Sequence, residues 1–273
     1  MAQSRTKAQR RIAEGDVSLN GVVNAKSATP VTDSDVITMA GGHDYVGRGA
    51  LKLRAALEEW RISAEDLLCV DIGASTGGFT EVLLAAKAQS VLALDVGHDQ
   101  LHPSLRDDPR VTSLEGVNIR HVTPQWWEQQ GGGSPDLIVA DVSFISLTHV
   151  LPPAVSVWPG ASWVVLVKPQ FEVGRTSISG GLSINPDDHE SAVSQVLDCA
   201  TELGLYLRGL MASPITGERG NREYLCCRSS NIWQPVPPWL TVAPATPSLP
   251  TASLWKCRTT LSTSRRPLAM SCG

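Results

Sequence analysis

The segment VDIGASTGGFTEVLL, residues 70–84, joins two apolar runs through a turn of small residues. The first run predicts a buried β-strand and the second an α-helix. Glycine lets the backbone approach a ligand closely, and the free amide groups at the start of a helix favour an anion. The segment therefore predicts a strand, a ligand-binding turn and a helix in direct succession.

Strands and helices alternate through the rest of this region. The first strand is predicted at LLCVDIG, and the strands that follow it at SVLALDVG, DLIVADVSF, SWVVLVKP, LYLRGLMASPI and REYLCC. Most of these are continuous apolar runs, which are typical of a sheet with helices on both faces. We therefore expect an α/β domain with a doubly wound, Rossmann-like sheet, whose ligands bind beyond the carboxyl ends of the strands.

A smaller unit precedes this sheet. A helix from Ser4 to about Glu14 is followed by DVSLNGVV, which alternates around the turn dipeptide Asn20-Gly21, and by the strand DVITMA. We predict a small α+β module over residues 1–41, a glycine-rich linker over 42–49, and the large domain over 50–228. Residues 229–273 hold 7 of the 18 prolines and no acidic residue, a composition that predicts a disordered tail.

Charge is unevenly distributed along the chain, whose net charge is -4. Residues 1–60 carry 8 basic and 7 acidic side chains, and residues 61–228 carry 11 and 20. Four basic residues precede the first acid, and they can contact nucleic acid phosphates: Arg5, Lys7, Arg10 and Arg11. A solvated helix face would have the same charges, so both interpretations remain open at this point.

The overall composition is that of an ordinary globular protein, with 42% hydrophobic and 18% charged residues. No apolar run reaches the roughly 20 residues that span a bilayer, and the first residues are polar. The six cysteines do not have the spacing of paired zinc ligands. We expect a cytoplasmic protein with free thiols, no metal site and no membrane association.

The glycine-rich turn and one acidic residue predict a nucleoside cofactor. Asp95 ends the second predicted strand, 24 residues after Asp71, where a carboxylate can accept hydrogen bonds from a ribose. The spacing of Gly73, Gly77 and Gly78 differs from the G-x-G-x-x-G of dinucleotide sites. S-adenosylmethionine is favoured over a nicotinamide dinucleotide, because Asp71 can lie near a cationic amino group.

Several motifs resemble those of a known family. SRTKAQRRIAEGDVSLNG is similar to the αL RNA-binding module of ribosomal proteins and RNA-modifying enzymes. YVGRGALKL, DIGASTGGFTEVLL, ALDVG, DVSFISL, VKPQFE and GNREYL resemble the TlyA family, often labelled hemolysins. The resemblance implies that module joined to an FtsJ-like methyltransferase domain, with S-adenosylmethionine as cofactor. It also implies 2'-O-methylation of cytidines, with ribosomal RNA or a ribosomal subunit as partner.

The resemblance also implies site residues. The FtsJ-like catalytic set falls on Lys52, Asp141, Lys168 and Glu223. The cofactor set falls on Asp71, Gly73, Ser75, Thr76, Gly77, Gly78, Phe79, Asp95 and Asn118, the last near the adenine. Asn118 could equally cap a turn, and Phe144 is expected to form a wall of the pocket.

The chemistry of methyl transfer leaves the role of Lys168 open. A ribose hydroxyl must attack the sulfonium methyl in line and lose its proton as the new bond forms. Lys168 could accept that proton only as a neutral amine, and an ordinary lysine has a pKa of about 10.4. Alternatively it stays charged and orients the hydroxyl.

Three other functions remain open from the sequence. A nicotinamide-dependent reductase would use a similar glycine-rich turn, and a non-catalytic RNA-binding protein would result if the changed C-terminal composition had removed activity. A hemolysin-type membrane-active protein fits the family label, but no strongly amphipathic segment supports it. The sequence indicates no obligate protein partner.

Overall fold

The structure is a computed structural model that describes residues 5, 8–9, 12, 17–23, 26–39, 45–130, 132–173, 178–179, 182–183, 185–217 and 220–230. Within the predicted basic helix, Arg5, Ala8, Gln9 and Ile12 are helical, and Arg5 is exposed. Lys7, Arg10 and Arg11 lie outside the described residues, as does the predicted tail from residue 231 onward.

A three-stranded antiparallel sheet forms the described part of the N-terminal region. Its strands are β1 (Val17–Leu19), β2 (Val22–Val23) and β3 (Ile37–Met39), in the order β2-β1-β3. The predicted turn joins β1 to β2, with positive φ at Asn20 and Gly21. The Asn20 amide donates to Asp35 Oδ1 at 2.7 Å and accepts from the Val36 N–H at 2.8 Å. The turn thus also fixes the entry to β3.

The large sheet has seven strands in the order β11-β12-β8-β7-β4-β5-β6. These are β4 (Leu68–Ile72), β5 (Ser90–Leu94), β6 (Val111–Leu114), β7 (Leu137–Ala140), β8 (Ser162–Val167), β11 (Tyr206–Ala212) and β12 (Tyr224–Ser229). Strands β4 to β8 pair in parallel, whereas β12 runs antiparallel to both of its neighbours. A two-stranded hairpin pairs β9 (Ile178–Ser179) with β10 (Leu182–Ser183).

Helices cover both faces of this sheet. They are α1 (Gly49–Glu59), α2 (Gly78–Ala85), α3 (Pro103–Arg106), α4 (Pro124–Gln129), α5 (Leu151–Val157), α6 (Pro169–Glu172) and α7 (Pro186–Glu202). Two short 3-10 helices lie at Ile119–His121 and Leu147–His149. Helices α1 and α2 contribute Leu53 and Leu83 to one buried cluster, and α5 and α7 contribute Leu151 and Val196 to the other. The predicted doubly wound α/β architecture is confirmed.

Two strands differ from the predicted pattern. Strand β6 was not predicted from the sequence, because two of its four residues are Thr112 and Ser113 and it lacks a continuous apolar run. Strand β12 continues through Arg228 to Ser229, into the region of changed composition. Arg228 is buried, and it donates to Thr201 Oγ1 at 3.0 Å, while its Nε and Nη1 have no hydrogen-bond partner. No helix among the described residues is both long and apolar enough to cross a membrane.

Candidate active site

The glycine-rich turn lies at the point where the strand order reverses. From the central strand β4, the chain forms β5 and β6 on one side and β7 and β8 on the other. The Gly73 N–H donates to the Leu94 carbonyl at 2.8 Å, and φ at Gly73 is +83°. A Cβ at this position would lie 2.5 Å from the Asp141 carbonyl oxygen. Only glycine fits here, because the turn after β4 packs against the chain leaving β7.

Asp95 fixes the shape of the same turn. Its Oδ2 accepts from the Ser75 N–H at 2.8 Å, and its Oδ1 accepts from the Gly97 N–H at 2.7 Å. Ser75 has a φ of +48°, and Gly77, with a φ of +96°, precedes the first residue of α2. Asp95 is only half-buried, so its carboxylate can also reach a ligand.

Asp71 is a fully buried carboxylate beneath the turn. Thr80 Oγ1 donates to its Oδ2 at 2.7 Å, while its Oδ1 has no hydrogen-bond partner. Burial raises the pKa of Asp71 to about 7, and the charges of Asp141 and Asp95 act in the same direction. Within the described ranges no cation forms an ion pair with Asp71. We call Asp71, Asp95 and the turn between β4 and α2 the glycine-loop half of the site.

The four residues of the predicted catalytic set form two ion pairs. Lys52 Nζ lies 2.6 Å from Glu223 Oε2, and both side chains are buried. Lys168 Nζ lies 2.6 Å from Asp141 Oδ1 and donates to Ser143 Oγ at 2.8 Å. The contact with Asp141 is an ion pair, not an aligned hydrogen bond, since Oδ1 has no donor at hydrogen-bonding geometry. We call these four residues the ion-pair half.

Strand register explains why these residues meet. Val167, the last residue of β8, pairs with Tyr224, the first residue of the antiparallel strand β12. Lys168 directly follows β8 and Glu223 directly precedes β12, so the two residues lie at neighbouring strand ends. The Asp141 N–H donates to the Ile72 carbonyl at 3.0 Å, which joins the end of β7 to the end of β4. A Cβ on Gly49, one turn before Lys52 in α1, would lie 3.4 Å from Asp141 Oδ2. The fold thus places both halves at one edge of the sheet.

Comparison with known proteins agrees with this geometry. A model of the family described as FtsJ-like methyltransferase matches residues 45–230. The chain belongs to this family. A 16S/23S rRNA (cytidine-2'-O)-methyltransferase TlyA from Mycobacterium tuberculosis is 46% identical over 228 residues, which are 82% of this chain and 84% of the relative.

Two relatives are named hemolysins. Hemolysin A of Brachyspira hyodysenteriae is 41% identical over 82% of this chain and 92% of its own. A solved structure of a hemolysin-named protein from Streptococcus thermophilus is 39% identical, covers 84% of each chain and superimposes with a TM-score of 0.68. The chain is therefore similar to proteins with both kinds of name.

The structure gives the surroundings of three residues that the sequence analysis discussed. Phe79 is buried in the core between α1 and α2. Asn118 caps the first 3-10 helix, with its Oδ1 accepting from the Arg120 N–H at 3.1 Å. Phe144 is 89% exposed, with a φ of +65°, so it is not a packed pocket wall.

The structure adds residues that the sequence analysis did not single out. Ser143 contacts Lys168, Thr80 holds Asp71, and the ring of Phe171 lies 5.2 Å from the ring of Phe144. Ser143 and Phe171 belong to the quoted motifs DVSFISL and VKPQFE, so the motifs themselves were the available signal. Among the described residues, no group of three histidine, cysteine or acidic side chains could hold a metal ion.

Proposed function

We propose that this methyltransferase uses S-adenosylmethionine to methylate the 2'-hydroxyl of cytidine in ribosomal RNA in the cytoplasm. The observation that carries the proposal is the position of Lys168, held by Asp141 and Ser143 next to the glycine-loop half. The activity in the printed name of the TlyA relative supports the choice of reaction and substrate.

The glycine-loop half fits the cofactor. Asp71 Oδ1 is a buried acceptor without a donor, and the ammonium group of the methionine moiety would supply a cation for it. Asp95 and the exposed side chain of Val96 lie together, so a ribose and an apolar nucleobase face could bind side by side. When bound, S-adenosylmethionine supplies an electrophilic methyl group on a sulfonium.

The ion-pair half fits the transfer of a methyl group to a hydroxyl. The Lys168 ammonium is ion-paired with Asp141 and donates to Ser143 Oγ, and a further N–H can bind the ribose oxygen as negative charge develops on it. The Asp141 carboxylate, next to Lys168, can accept the proton from that hydroxyl. We therefore assign Lys168 the electrostatic and orienting role, not that of the base.

Phe144 supports an RNA substrate. Its ring is 89% exposed, lies next to Phe171, and follows Ser143 in the chain. RNA-binding proteins use exposed aromatic rings to stack on unpaired bases. A nucleotide whose base stacks on Phe144 would place its ribose near Lys168, because Lys168 Nζ lies 5.9 Å from the centre of the Phe171 ring.

The basic residues Arg5, Lys7, Arg10 and Arg11 are proposed to contact phosphates of the same RNA. Neutralising all four should weaken RNA binding and reduce its dependence on salt concentration. The reason is that binding releases fewer counterions from the RNA when the protein contacts fewer phosphates. Cofactor binding measured by calorimetry should not change. If the salt dependence of RNA binding is unchanged in this variant, the four residues do not contact phosphates, and the interpretation as a solvated helix face is favoured.

The decisive experiment maps the product. Purified protein is incubated with methyl-labelled S-adenosylmethionine and either free ribosomal RNA or ribosomal subunits, and the digested nucleosides are separated by mass spectrometry. We expect label in 2'-O-methylcytidine, and about 10²-fold slower labelling when the protein carries Lys168→Ala. Label in a base-methylated nucleoside would contradict the proposed chemistry.

Two further readouts separate the alternatives. RNA binding without any transferred methyl group would indicate a non-catalytic RNA-binding protein. Leakage of liposomes at the same protein concentration, without methylation, would indicate a membrane-active protein.

A further inference from the structure

The two segments that carry Asp141 and Lys168 of the ion-pair half are joined at three places. Residues 141–147 leave β7 and form what we call the β7 loop, and residues 168–172 leave β8 and include α6. Lys168 contacts Asp141 and Ser143 at one end. Phe171 contacts Phe144 in the middle, and Glu172 binds the far end of the β7 loop.

Glu172 holds the β7 loop through both of its oxygens. Oε1 accepts from the Leu147 N–H at 2.9 Å, and Oε2 accepts from the Ser146 hydroxyl. The side chain is 8% exposed, and burial raises its pKa, although these two hydrogen bonds oppose the rise. In the part of the chain that the structure describes, no cation forms an ion pair with Glu172. The charge of His149 also lowers the pKa of Glu172, but burial outweighs it. A buried acidic group that its partners compensate only in part reduces stability, so a role in geometry is a better explanation for it.

The β7 loop contains a backbone conformation that needs support. Phe144 has a φ of +65°, a region that is unfavourable for a bulky side chain and persists only when the surroundings hold it. Lys168 binds the loop one residue before Phe144, through Ser143. Glu172 binds it two and three residues after Phe144, through Ser146 and Leu147. The strained residue is therefore fixed on both sides from the same segment.

We propose that Glu172 is a positioning residue for methyl transfer, which keeps the exposed Phe144 ring and the Ser143 partner of Lys168 in their working positions. Glu172 does not touch the reacting atoms and acts only through the β7 loop. The inference rests on the proposed function, since the position of the loop matters for catalysis only if Lys168 and Phe144 face the target nucleotide.

Three variants test this role by single-turnover methylation. Glu172→Ala removes both acceptors and should slow methyl transfer by roughly 10- to 100-fold, the scale expected for a misplaced catalytic group. Glu172→Gln should stay within about threefold of the parent, because its amide oxygen can accept from Leu147 and its NH₂ can donate to Ser146. Val91→Ala in β5 is the matched control: it removes buried apolar volume outside both segments and should lower stability without slowing transfer.

A double-mutant cycle separates positioning from general structural damage. If Glu172 acts through the loop, Glu172→Ala should add little to the loss caused by Phe144→Ala, whereas independent effects would multiply. The affinity for S-adenosylmethionine, measured by calorimetry, should be the same in all of these variants. A parent-like rate in Glu172→Ala, or multiplicative losses, would overturn the proposal.

Hydrogen exchange gives a readout that does not need activity. In Glu172→Ala, the amides of residues 143–149 should exchange faster, including that of Leu147, while β4 and β5 stay protected. Unchanged exchange in the β7 loop would also refute the role of Glu172. If the parent protein transfers no methyl group, the proposed function fails, and the exchange experiment still decides whether Glu172 holds the loop.

Discussion

The two halves of the site handle buried charge in opposite ways. In the ion-pair half, each acidic side chain has a lysine 2.6 Å away. In the glycine-loop half, Asp71 is fully buried, and among the described residues one of its oxygens has no hydrogen-bond partner. The Asp95 carboxylate accepts from two backbone N–H groups. The ion-pair half is thus electrostatically complete on its own. The glycine-loop half keeps an unfavourable charge that a cationic cofactor can relieve.

This difference suggests a division of work. Groups that must stay fixed during transfer gain from permanent partners, because these hold their geometry before any ligand binds. A carboxylate that must bind a cationic ligand benefits from having no cationic side chain beside it. The ligand then supplies the missing counter-charge, and this interaction contributes to the binding energy. Four experiments can challenge this comparison, from the largest expected effect to the smallest.

Removing the ammonium of the ion-pair half should have the largest effect. Lys168→Ala should slow methyl transfer by about 10²-fold or more, because the developing negative charge on the ribose oxygen loses its donor. Single-turnover assays at saturating RNA and cofactor measure this step. Lys168→Arg keeps a charged donor and should retain substantial activity, whereas turnover near the parent value in Lys168→Ala would remove Lys168 from the mechanism.

Breaking the other ion pair should mainly change stability. Lys52→Met leaves Glu223 buried without a counter-charge and should lower the free energy of unfolding by about 3–5 kcal/mol. The double variant Lys52→Met, Glu223→Gln should recover part of this loss, because no net charge remains buried. Urea denaturation measures both values. A loss below about 1 kcal/mol for the single variant would mean that Glu223 finds water or another partner.

In the glycine-loop half, removing the charge of Asp71 should raise the free energy of unfolding, and the size of this rise should depend on pH. The folded protein keeps a proton on Asp71 up to about pH 7, whereas the unfolded chain releases it near pH 4. The folded state therefore binds more protons in this range, and the free energy of unfolding falls as pH rises from about 4 to about 7. Asp71→Asn should abolish this part of the fall.

Urea denaturation at pH 5 and pH 8 measures this difference. At pH 8 we expect Asp71→Asn to be more stable than the parent by about 1–3 kcal/mol, and at pH 5 the gap should be smaller. The same variant should bind S-adenosylmethionine more weakly in calorimetry. Equal stability differences at the two pH values would show that Asp71 is not the titrating group.

Arg228 provides a control outside both halves. It is a buried cation whose Nε and Nη1 have no hydrogen-bond partner, and burial lowers its pKa. Arg228→Met should raise the free energy of unfolding by about 1–2 kcal/mol and leave methyl transfer unchanged. A fall in stability would show that its hydrogen bonds to Thr201 and to the Leu197 carbonyl outweigh its burial.

Much of the fold followed from local patterns. Continuous apolar runs predicted six of the seven strands of the large sheet, and Asn20-Gly21 predicted the hairpin, because both signals depend on residues close together in the chain. Strand β6 was missed because a short edge strand with two central hydroxyl residues resembles a loop in sequence. The end of β12 was placed too early, since buried Arg228 reads as a polar residue.

For the site, the sequence by itself determined the residue types and the glycine turn, because the positions of the glycines and the spacing between acidic residues are local features of the sequence. It also gave the catalytic set, through motifs that resemble a family. Only the tertiary structure decided the pairing of Lys52 with Glu223, which lie 171 residues apart, and left Asp71 without a cation from any residue that the structure describes. It also buried Phe79 and exposed Phe144. The physical reason is that pairing and burial depend on which strand ends and helices meet at one edge of the sheet, and that arrangement arises from long-range packing.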